Sequence, residues 1–219
     1  QPLQKMRLYL ANAMNRLKLD DLDKEKLEAK LLGVDEQLER LSEIIEHLRL
    51  YGRHHNPLPG GFSLSMVLSR CVELNRGLIT EQGIRLQFDN ELNQERVAGH
   101  PLQVERALIA LFDNAREAIA EVGPEQPLIK VGLSLDSEKH AVIRVSDNGG
   151  GIDADIQSRV FDPFFTTRTN SRNVGLGLSS ARAPVEDLGG ELTLTSRGEG
   201  TELTIRVPLM SEEDMEGLV

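Results

Sequence analysis

The sequence is poor in several residue types whose abundance marks particular protein classes. It has one cysteine, Cys71, so no disulfide can form within the chain and no cysteine cluster is available for structural zinc. It has no tryptophan, and aromatic residues make up only 4% of its 219 residues. No apolar run approaches the ~20 residues that span a bilayer. These shortages exclude a disulfide-stabilised secreted domain and predict a cytoplasmic chain that makes no membrane contact of its own.

Basic residues are also in deficit. The chain has 25 Lys and Arg against 35 Asp and Glu, which gives a formal net charge of −10 at pH 7. Proteins that bind nucleic acid or anionic membranes gain affinity from clustered Lys and Arg. The charge balance therefore argues against nucleic acid as a partner.

The first quarter of the chain, residues 1–55, carries a heptad pattern of apolar residues. Such a seam favours coiled-coil or four-helix-bundle packing, and the short charged stretch in its middle predicts an antiparallel helical hairpin. Because one hairpin buries only one seam, we expect two chains to form a dimeric four-helix bundle; a hairpin docked on the second domain of its own chain is the alternative. The seam residues are Leu3, Met6, Leu10, Ala13 and Leu17, then Leu27, Leu31, Val34, Leu38, Leu41, Ile45 and Leu48.

Breaks in the pattern predict the remaining domain boundaries. The stretch HHNPLPGG breaks the helix with two prolines and two glycines, so residues 56–62 are predicted to be a linker. Helical and strand patterns alternate over residues 63–210, which predicts an α+β sandwich: a mixed sheet with helices on one face. The strands near the end form a predicted hairpin that turns on Gly198 and Gly200, and a helix before it is predicted through Ala181. Residues 211–219 form an acidic tail.

Two segments place polar groups where a ligand would need them. Asn114 lies in the predicted helix LFDNAREAI, and its amide oxygen is a hard ligand that suits Mg²⁺. Asp147 ends a predicted strand and opens the stretch DNGGGI, where Gly149 and Gly151 permit positive φ and the approach of a flat ring. Each also has an ordinary explanation, a structural asparagine bonded to a neighbouring turn and a common tight turn.

Two further glycine segments also allow either a ligand-binding or an ordinary structural interpretation. Gly175 and Gly177 in VGLGLS come just before a predicted helix, whose free N–H groups form an anion site. Thr201 follows the glycine turn of GEGT into a strand. Taken singly, the first is a weak signal and the second is a plain hairpin.

Taken in order, the segments point to one family. Asn114, DNGGGI, FDPFFTTR, VGLGLS and GEGT resemble the ATP-binding domain of sensor histidine kinases of two-component systems, which share the Bergerat fold with gyrase and MutL. The resemblance runs from Ser63 to Leu209, and the helical hairpin resembles the dimerisation domain of these kinases. It implies a protein-histidine kinase that uses ATP and Mg²⁺. It also implies that, in the intact protein, a His on the dimerisation helix is phosphorylated and passes the phosphoryl group to an Asp of a response-regulator receiver domain.

The resemblance also implies roles for single residues. Asn114 corresponds to the catalytic Mg²⁺ ligand, and Asp147 corresponds to the residue that accepts from the adenine amino group. Gly149 and Gly151 would lie under the ring, and Thr201 would help Asp147 to hold a water.

Further nucleotide contacts are implied around the polar segment 166–174, where the family has a mobile lid. Arg116 on the long helix and Arg172 in the lid are candidate phosphate contacts. Phe164 and Phe165 are expected to dock the base of the lid onto the helical hairpin. The other implied nucleotide contacts are Thr166, Thr167, Arg168, Gly175, Leu176, Gly177 and Leu178.

Two departures from the family pattern limit the expected activity. Ala110 stands one helical turn before Asn114, where relatives carry a second asparagine or a catalytic glutamate, which disfavours simple ATP hydrolysis. The opening QPL resembles the tail of the motif His-Glu-x-x-Gln-Pro-Leu of kinases akin to the C4-dicarboxylate and oxygen sensors. We therefore expect the acceptor histidine just before Gln1, in a longer protein whose other segments would carry any anchor to an inner membrane. ATP binding without autophosphorylation follows, because none of the five histidines lies in such a motif.

Two other functions use parts of the same pattern. A Bergerat-type ATPase or protein-serine kinase would share the pocket, but Ala110 and the heptad hairpin argue against both of these enzyme classes. A dimeric signalling scaffold with a degenerate nucleotide site would not need intact glycine segments, and these are intact.

Overall fold

The structure is a computed structural model that describes residues 2–18, 25–35, 37–38, 41, 58, 61–167 and 175–211. It divides into two compact units, Gln1–Arg53 together with Phe164–Leu176, and His54–Pro163 together with Gly177–Val219. None of the helices in the described part of the chain is long and apolar enough to cross a membrane.

The first unit contains two helices, α1 at Pro2–Lys18 and α2 at residues 25–35. They meet at Tyr9. A Cβ added to Gly33 would lie 3.0 Å from Cε2 of the Tyr9 ring, and Lys30 Nζ is 5.4 Å from the ring centroid. Two helices in contact across a short connection support the predicted hairpin.

The heptad seam is only partly covered within one chain. Met6 and Ala13 are buried, whereas Leu10, Leu31 and Leu38 are 44%, 51% and 50% exposed. The seam residues Leu27, Val34 and Leu41 are half-buried. Those whose side chains lie outside the described residues are Leu3, Leu17, Ile45 and Leu48.

The second unit is built on a five-stranded mixed sheet in the order β2-β4-β5-β7-β6, in which β2 and β4 are parallel and the other pairs antiparallel. Two short strands, β1 and β3, pair separately. This is the mixed sheet that the sequence predicts. The strands are β1 Phe62–Ser63, β2 Arg85–Asn90, β3 Arg96–Val97, β4 Leu128–Leu135, β5 His140–Asp147, β6 Glu191–Arg197 and β7 Gly200–Pro208.

Helices cover one face of this sheet. Buried residues alternate with half-buried or exposed residues along β4 and β7, as expected when one face packs and the other is partly solvated. The long helix α4 lies between α3 and α6 and packs against both. Cys71 is buried on α3, and burial raises the pKa of its thiol to about 11. The helices are α3 Leu64–Glu81, α4 Pro101–Val122, α5 Ala154–Gln157 and α6 Gly177–Asp187.

Local chemistry explains where α4 begins and ends. His100 is its N-cap: the His100 ring accepts from the Leu102 N–H at 3.3 Å, and Gln103 Oε1 accepts from the His100 N–H at 2.9 Å. This reciprocal pair satisfies backbone donors that have no partner inside the helix. Gly123 ends the helix with φ +64°, a left-handed conformation that glycine adopts without a steric penalty.

The helix predicted through Ala181 is present as α6, and it continues past Pro184 to Asp187. Proline removes one intrahelical hydrogen bond and usually breaks a helix. Here Ala181, Pro184 and Val185 are all buried, so packing against the core offsets that loss.

The predicted linker already forms backbone hydrogen bonds within the second unit, which begins at His54. The Leu58 N–H donates to the Gly99 carbonyl at 2.9 Å, and the Gly61 N–H donates to the Leu58 carbonyl at the same distance. Leu58 is therefore already attached to the second unit.

Candidate functional site

The inner face of the sheet, which packs against the helices, is apolar except for a group of polar side chains at one end. One cross-strand row on this face is apolar, formed by Val131, Val145, Leu203 and Leu194. The next row begins with Ile129 but continues with Asp147, Thr201 and Ser196. Buried polar groups are costly unless they are hydrogen-bonded, so a polar row facing the helices indicates a site rather than core.

The loop after β5 brings Asp147 close to α4. Asp147 Oδ1 accepts from the Gly149 N–H at 2.8 Å. Gly151 has a positive φ of +80°, as expected. Gly150, which was not among the predicted site residues, also has a positive φ, of +87°. Gly149 does not adopt positive φ. Its small size serves another purpose, since a Cβ there would lie 2.6 Å from the Ala118 backbone carbon.

Asn148 holds the loop from its other side. Its Oδ1 accepts from the Leu128 N–H at 2.9 Å, and its Nδ2 donates to the Gln126 carbonyl at 2.8 Å. Both partners precede or begin β4. Asn148 therefore positions Asp147 and is committed to the fold.

Asn114 lies on α4 one turn before Ala118, on the side of the helix where Gly149 packs. One turn corresponds to ~6 Å along the axis. The side chain is half-buried, and no hydrogen bond joins it to any residue in the described part of the chain. The ordinary role of an asparagine bonded to a neighbouring turn is therefore not seen, and the amide is open to a ligand.

The structure does not bring Arg116 to Asn114. Two residues along a helix correspond to ~200° around its axis. Arg116 Nη1 is 2.8 Å from Asp113 Oδ1, and its Nε is 2.9 Å from Gln82 Oε1 at the end of α3. Burial raises the pKa of Asp113, and the Arg116 guanidinium acts in the opposite direction. Arg116 therefore links α4 to α3.

The residues from Thr166 to Leu178 that are predicted to contact the nucleotide belong to two different units. Gly177 and Leu178 open α6 in the second unit, where the first N–H groups of the helix have no intrahelical partner. Thr166, Thr167, Gly175 and Leu176 belong to the first unit. Arg168 and Arg172 lie outside the described residues.

The base of the lid segment is closed by backbone contacts. The Phe164 N–H donates to the Gly175 carbonyl at 2.9 Å, and Gly175 has φ +75°. A Cβ on Gly175 would lie 2.7 Å from the Phe164 carbonyl carbon, so glycine is needed there for this close approach. Phe164–Leu176 groups with Gln1–Arg53 in one unit, but the Phe164 side chain is 60% exposed, so the docking of this base on the hairpin stays a prediction.

Ser196 and Gln157 are site residues that the sequence reading missed. Ser196 Oγ accepts from the Ile152 N–H at 2.7 Å, and Gln157 Nε2 donates to the Ile152 carbonyl at 2.8 Å. The two side chains tie the glycine loop to β6. The alternation along LTLTSR places Ser196 on the same face as Leu192 and Leu194, and this pattern could have identified Ser196 from the sequence. No sequence pattern pointed to Gln157.

The described histidines have structural partners. His100 caps α4, and His140 Nδ1 lies 3.0 Å from Arg206 Nη2 and 3.6 Å from Asp136 Oδ1. His47, His54 and His55 lie outside the described residues. Within the described ranges, no group of three or more His, Cys, Asp or Glu side chains is arranged to hold a metal ion.

Comparison with known sequences identifies the family and several relatives of this chain. The family described as histidine kinase-, DNA gyrase B-, and HSP90-like ATPase matches residues 99–211. The two-component sensor PprA of Pseudomonas aeruginosa is 30% identical over 219 residues, which is 99% of this chain and 24% of PprA. The sensor protein FixL of Bradyrhizobium diazoefficiens is 28% identical over 201 residues, which is 91% of this chain and 39% of FixL. The chain thus spans well under half the length of these relatives.

Solved structures show the same fold. The nucleotide-free catalytic domain of histidine kinase ThkA has a TM-score of 0.56 and 27% identity, over 67% of this chain and 93% of that one. Histidine kinase ThkA in complex with response regulator protein TrrA has a TM-score of 0.67 and 23% identity, over 95% of this chain and 60% of that one. The second likeness concerns the fold alone.

Proposed function

The chain belongs to the family of histidine kinase-, DNA gyrase B- and HSP90-like ATPases, and from that premise we propose that it is the dimerisation and ATP-binding core of a sensor histidine kinase. The observation that carries the proposal is the polar row of Asp147 and Thr201 at the end of a core face, held by Gly149 against the helix that bears Asn114. Nucleotide binding is the common property of the family.

We propose that the polar row recognises adenine. Asp147 accepts a hydrogen bond from the adenine amino group. Thr201 is the direct cross-strand neighbour of Asp147 in the register of β5 and β7, so their side chains are ~5 Å apart and can hold one water between them. Gly149 and Gly151 leave the loop without side chains beneath the ring.

We propose that the triphosphate lies between Asn114 and the start of α6. Mg²⁺ prefers oxygen ligands and shares its shell with phosphate oxygens, so one amide oxygen from Asn114 fits the small protein share of such a site. When bound, the ion would neutralise charge on the transferred phosphoryl group. Gly177 and Leu178 offer backbone N–H groups to the phosphates, and Thr166, Thr167, Arg168, Gly175 and Leu176 are the proposed lid contacts.

In the intact protein, the proposed reaction is phosphoryl transfer from ATP to a histidine of the dimerisation helix and then to an aspartate of a response-regulator receiver. A relative named as a two-component sensor and the ThkA structure with its response regulator support a function in two-component signalling, and the order of transfer is the one that the family resemblance implies. Such catalysis depends mainly on positioning and charge neutralisation. The chain's residues contribute by holding the base and the phosphates.

The 219-residue chain itself is proposed to bind ATP without autophosphorylation. His100 and His140 are committed to a helix cap and an ion-pair cluster, and His47, His54 and His55 lie in no acceptor motif. Incubation of the purified chain with labelled ATP should give no acid-labile phosphate. Incorporation of such phosphate would contradict this part of the proposal.

Isothermal titration of ATP with and without Mg²⁺ tests the binding site. Asn114→Ala should lower the affinity for Mg²⁺-ATP about tenfold, because the metal loses its only proposed protein ligand. Asn75→Ala is the matched control: Asn75 is also half-buried on a helix, but its Nδ2 donates to the Cys71 carbonyl on α3. Equal losses in both variants, or no effect of Mg²⁺ on the wild type, would contradict the assignment.

The same samples discriminate the alternatives. Ala110, one turn before Asn114, is buried and has no group that can activate water. Steady phosphate release that Asn114→Ala abolishes would nevertheless favour a plain ATPase. A chain that binds no ATP at all would favour a dimeric scaffold.

A further inference from the structure

We propose that Ser196 determines the base specificity of the site by fixing the direction of the Thr201 hydroxyl proton. The inference rests on the proposed nucleotide function and names the residue that sets the hydrogen-bonding pattern of its base pocket. Ser196 acts through Thr201, so it is a positioning residue.

The contacts of Ser196 leave one arrangement of protons. Its Oγ is 2.7 Å from the Ile152 nitrogen, 2.9 Å from the Gly200 carbonyl oxygen and 3.2 Å from Thr201 Oγ1. The backbone N–H can only donate and the carbonyl can only accept. A serine hydroxyl has one proton and two lone pairs. Its proton therefore goes to Gly200, and its remaining lone pair accepts from Thr201.

This arrangement controls what Thr201 offers a ligand. Thr201 is 3% exposed and stands opposite Asp147 in the sheet register. With its proton donated to Ser196, the Thr201 hydroxyl has only lone pairs to offer in other directions. The Asp147 carboxylate also only accepts. Asp147 and Thr201 therefore both present acceptors to a group placed between them.

Acceptors at this position distinguish adenine from hypoxanthine, because the same ring carbon carries an amino group in adenine and a carbonyl in hypoxanthine. The amino group of adenine donates hydrogen bonds, directly or through a water. The carbonyl of hypoxanthine accepts and would meet no donor from the side chains of Asp147 and Thr201. An unmet polar group in a buried site is costly, so inosine triphosphate should bind more weakly than ATP.

The geometry around Ser196 is held from several sides. Ile152 is fixed at its N–H by Ser196 and at its carbonyl by Gln157, whose Nε2 also lies 3.2 Å from the Ser196 carbonyl. Gly151 passes directly over the hydroxyl, since a Cβ on it would lie 3.1 Å from Ser196 Oγ. Strand pairing of Arg197 with Gly200 completes the frame. Gln157 thus supports the loop, whereas the three contacts of Ser196 Oγ set the direction of its proton.

The experiment measures dissociation constants for ATP and for inosine triphosphate in the same protein by isothermal titration with Mg²⁺. The wild type should prefer ATP about tenfold. Ser196→Ala frees the Thr201 hydroxyl to donate, and the preference should fall to about threefold or less. Ser196→Thr keeps a hydroxyl and should keep the preference. The ratio is measured within each variant, so a general loss of stability does not change it.

Two further variants separate positioning from simple structural damage. Gln157→Met loosens the same loop without touching the Ser196 hydroxyl, so both affinities should fall together and the ratio should stay. In a Thr201→Val background, Ser196→Ala should no longer change the ratio, because the hydroxyl through which it acts is absent.

The outcomes distinguish this inference from the proposed function. A wild type that binds neither nucleotide overturns both. A wild type that prefers ATP, together with a Ser196→Ala variant that keeps the same ratio, overturns the inference alone. So does a Gln157→Met variant whose ratio falls as far as that of Ser196→Ala.

Discussion

At the scale of single residues, the site depends on which groups remain uncommitted to the fold. Asn148 and Asn114 are both asparagines near the pocket, yet Asn148 is bonded at both ends of its amide and Asn114 is not bonded to any described residue. Arg116 is likewise committed, to Asp113 and Gln82. Residue type alone does not separate a ligand from a structural group; the hydrogen-bond partners do.

Asp147→Asn should weaken ATP binding by ~1–3 kcal/mol, the scale of a lost hydrogen bond to a charged acceptor. The asparagine amide also introduces a donor that faces the adenine amino group. Titration calorimetry measures the change. Asp155→Asn, an exposed position on α5, is the matched control and should leave affinity unchanged. An Asp147 variant that binds like the control would remove Asp147 from the site.

At the scale of secondary-structure elements, glycine decides how closely helices and loops approach. Gly149 lets the loop after β5 meet α4 at Ala118, and Gly33 lets α2 meet the Tyr9 ring of α1. Gly77 on α3 has no atom within 4 Å of where a Cβ would stand. A glycine inside a helix costs ~1 kcal/mol relative to alanine. Gly33 recovers part of that cost by packing, and Gly77 has no such compensation.

The change in stability caused by an alanine substitution should therefore differ in sign or size between Gly77 and Gly33. Gly77→Ala should stabilise the chain by ~0.5–1 kcal/mol, because it gains helix propensity and displaces nothing. Gly33→Ala gains the same propensity but places a Cβ 3.0 Å from the Tyr9 ring, so it should stabilise less or destabilise. Chemical denaturation of both variants measures the difference. A larger gain for Gly33→Ala would contradict the contact.

An ion-pair cluster joins the turn between β4 and β5 to β7. Arg206 Nε is 2.6 Å from Asp136 Oδ2, and the His140 N–H donates to Asp136 Oδ1 at 2.8 Å. The His140 N–H and the Arg206 guanidinium lower the pKa of Asp136 from 3.8 to about 2. Asp136 is thus a stabilising group whose effect depends on its charge.

Because the folded pKa of Asp136 is lowered, its contribution is fully present above about pH 4 and is lost as pH falls to about 2. Asp136→Asn should lower the unfolding temperature near neutral pH, and the difference from wild type should shrink over that window. Thermal melts at several pH values measure it. Glu138→Gln, at a more exposed partner of Arg206, should show a smaller difference. A difference that stays constant down to pH 2 would show that the Asp136 charge is not responsible.

At the scale of the whole molecule, the first unit exposes apolar surface that a single chain leaves uncovered. Leu10, Leu31 and Leu38 lie on the heptad seam and are each close to half exposed. Full burial of a leucine contributes ~2 kcal/mol, so a second hairpin has several such contributions to gain. We infer that the chain associates through this seam as a homodimer.

The seam makes a direct prediction for light scattering. The wild type should have twice the chain mass of 24.3 kDa, and Leu31→Asn should shift it toward the monomer. Leu74→Asn is the control: Leu74 is 72% exposed on α3, outside the seam, and should leave the dimer intact. Dissociation by Leu74→Asn, or a monomeric wild type, would contradict dimerisation through the seam.

Local patterns in the sequence determined the two described helices of the first unit, the mixed sheet with its helices, and the order of the glycine segments that identifies the family. These features depend on the periodicity of consecutive residues or on short motifs, so no tertiary contact is needed to recognise them. The end of α6 was the exception, because burial of Pro184 and its neighbours outweighs the local tendency of proline to stop a helix.

Only the tertiary structure decided how the site is assembled. Strand register brings Ser196 beside Thr201 and Thr201 beside Asp147, although Asp147 and Ser196 are far apart along the chain. Helix rotation turns Arg116 away from Asn114 toward α3. The physical reason is that hydrogen bonds and close packing act through space, and a sequence pattern reports only which residues are neighbours along the chain.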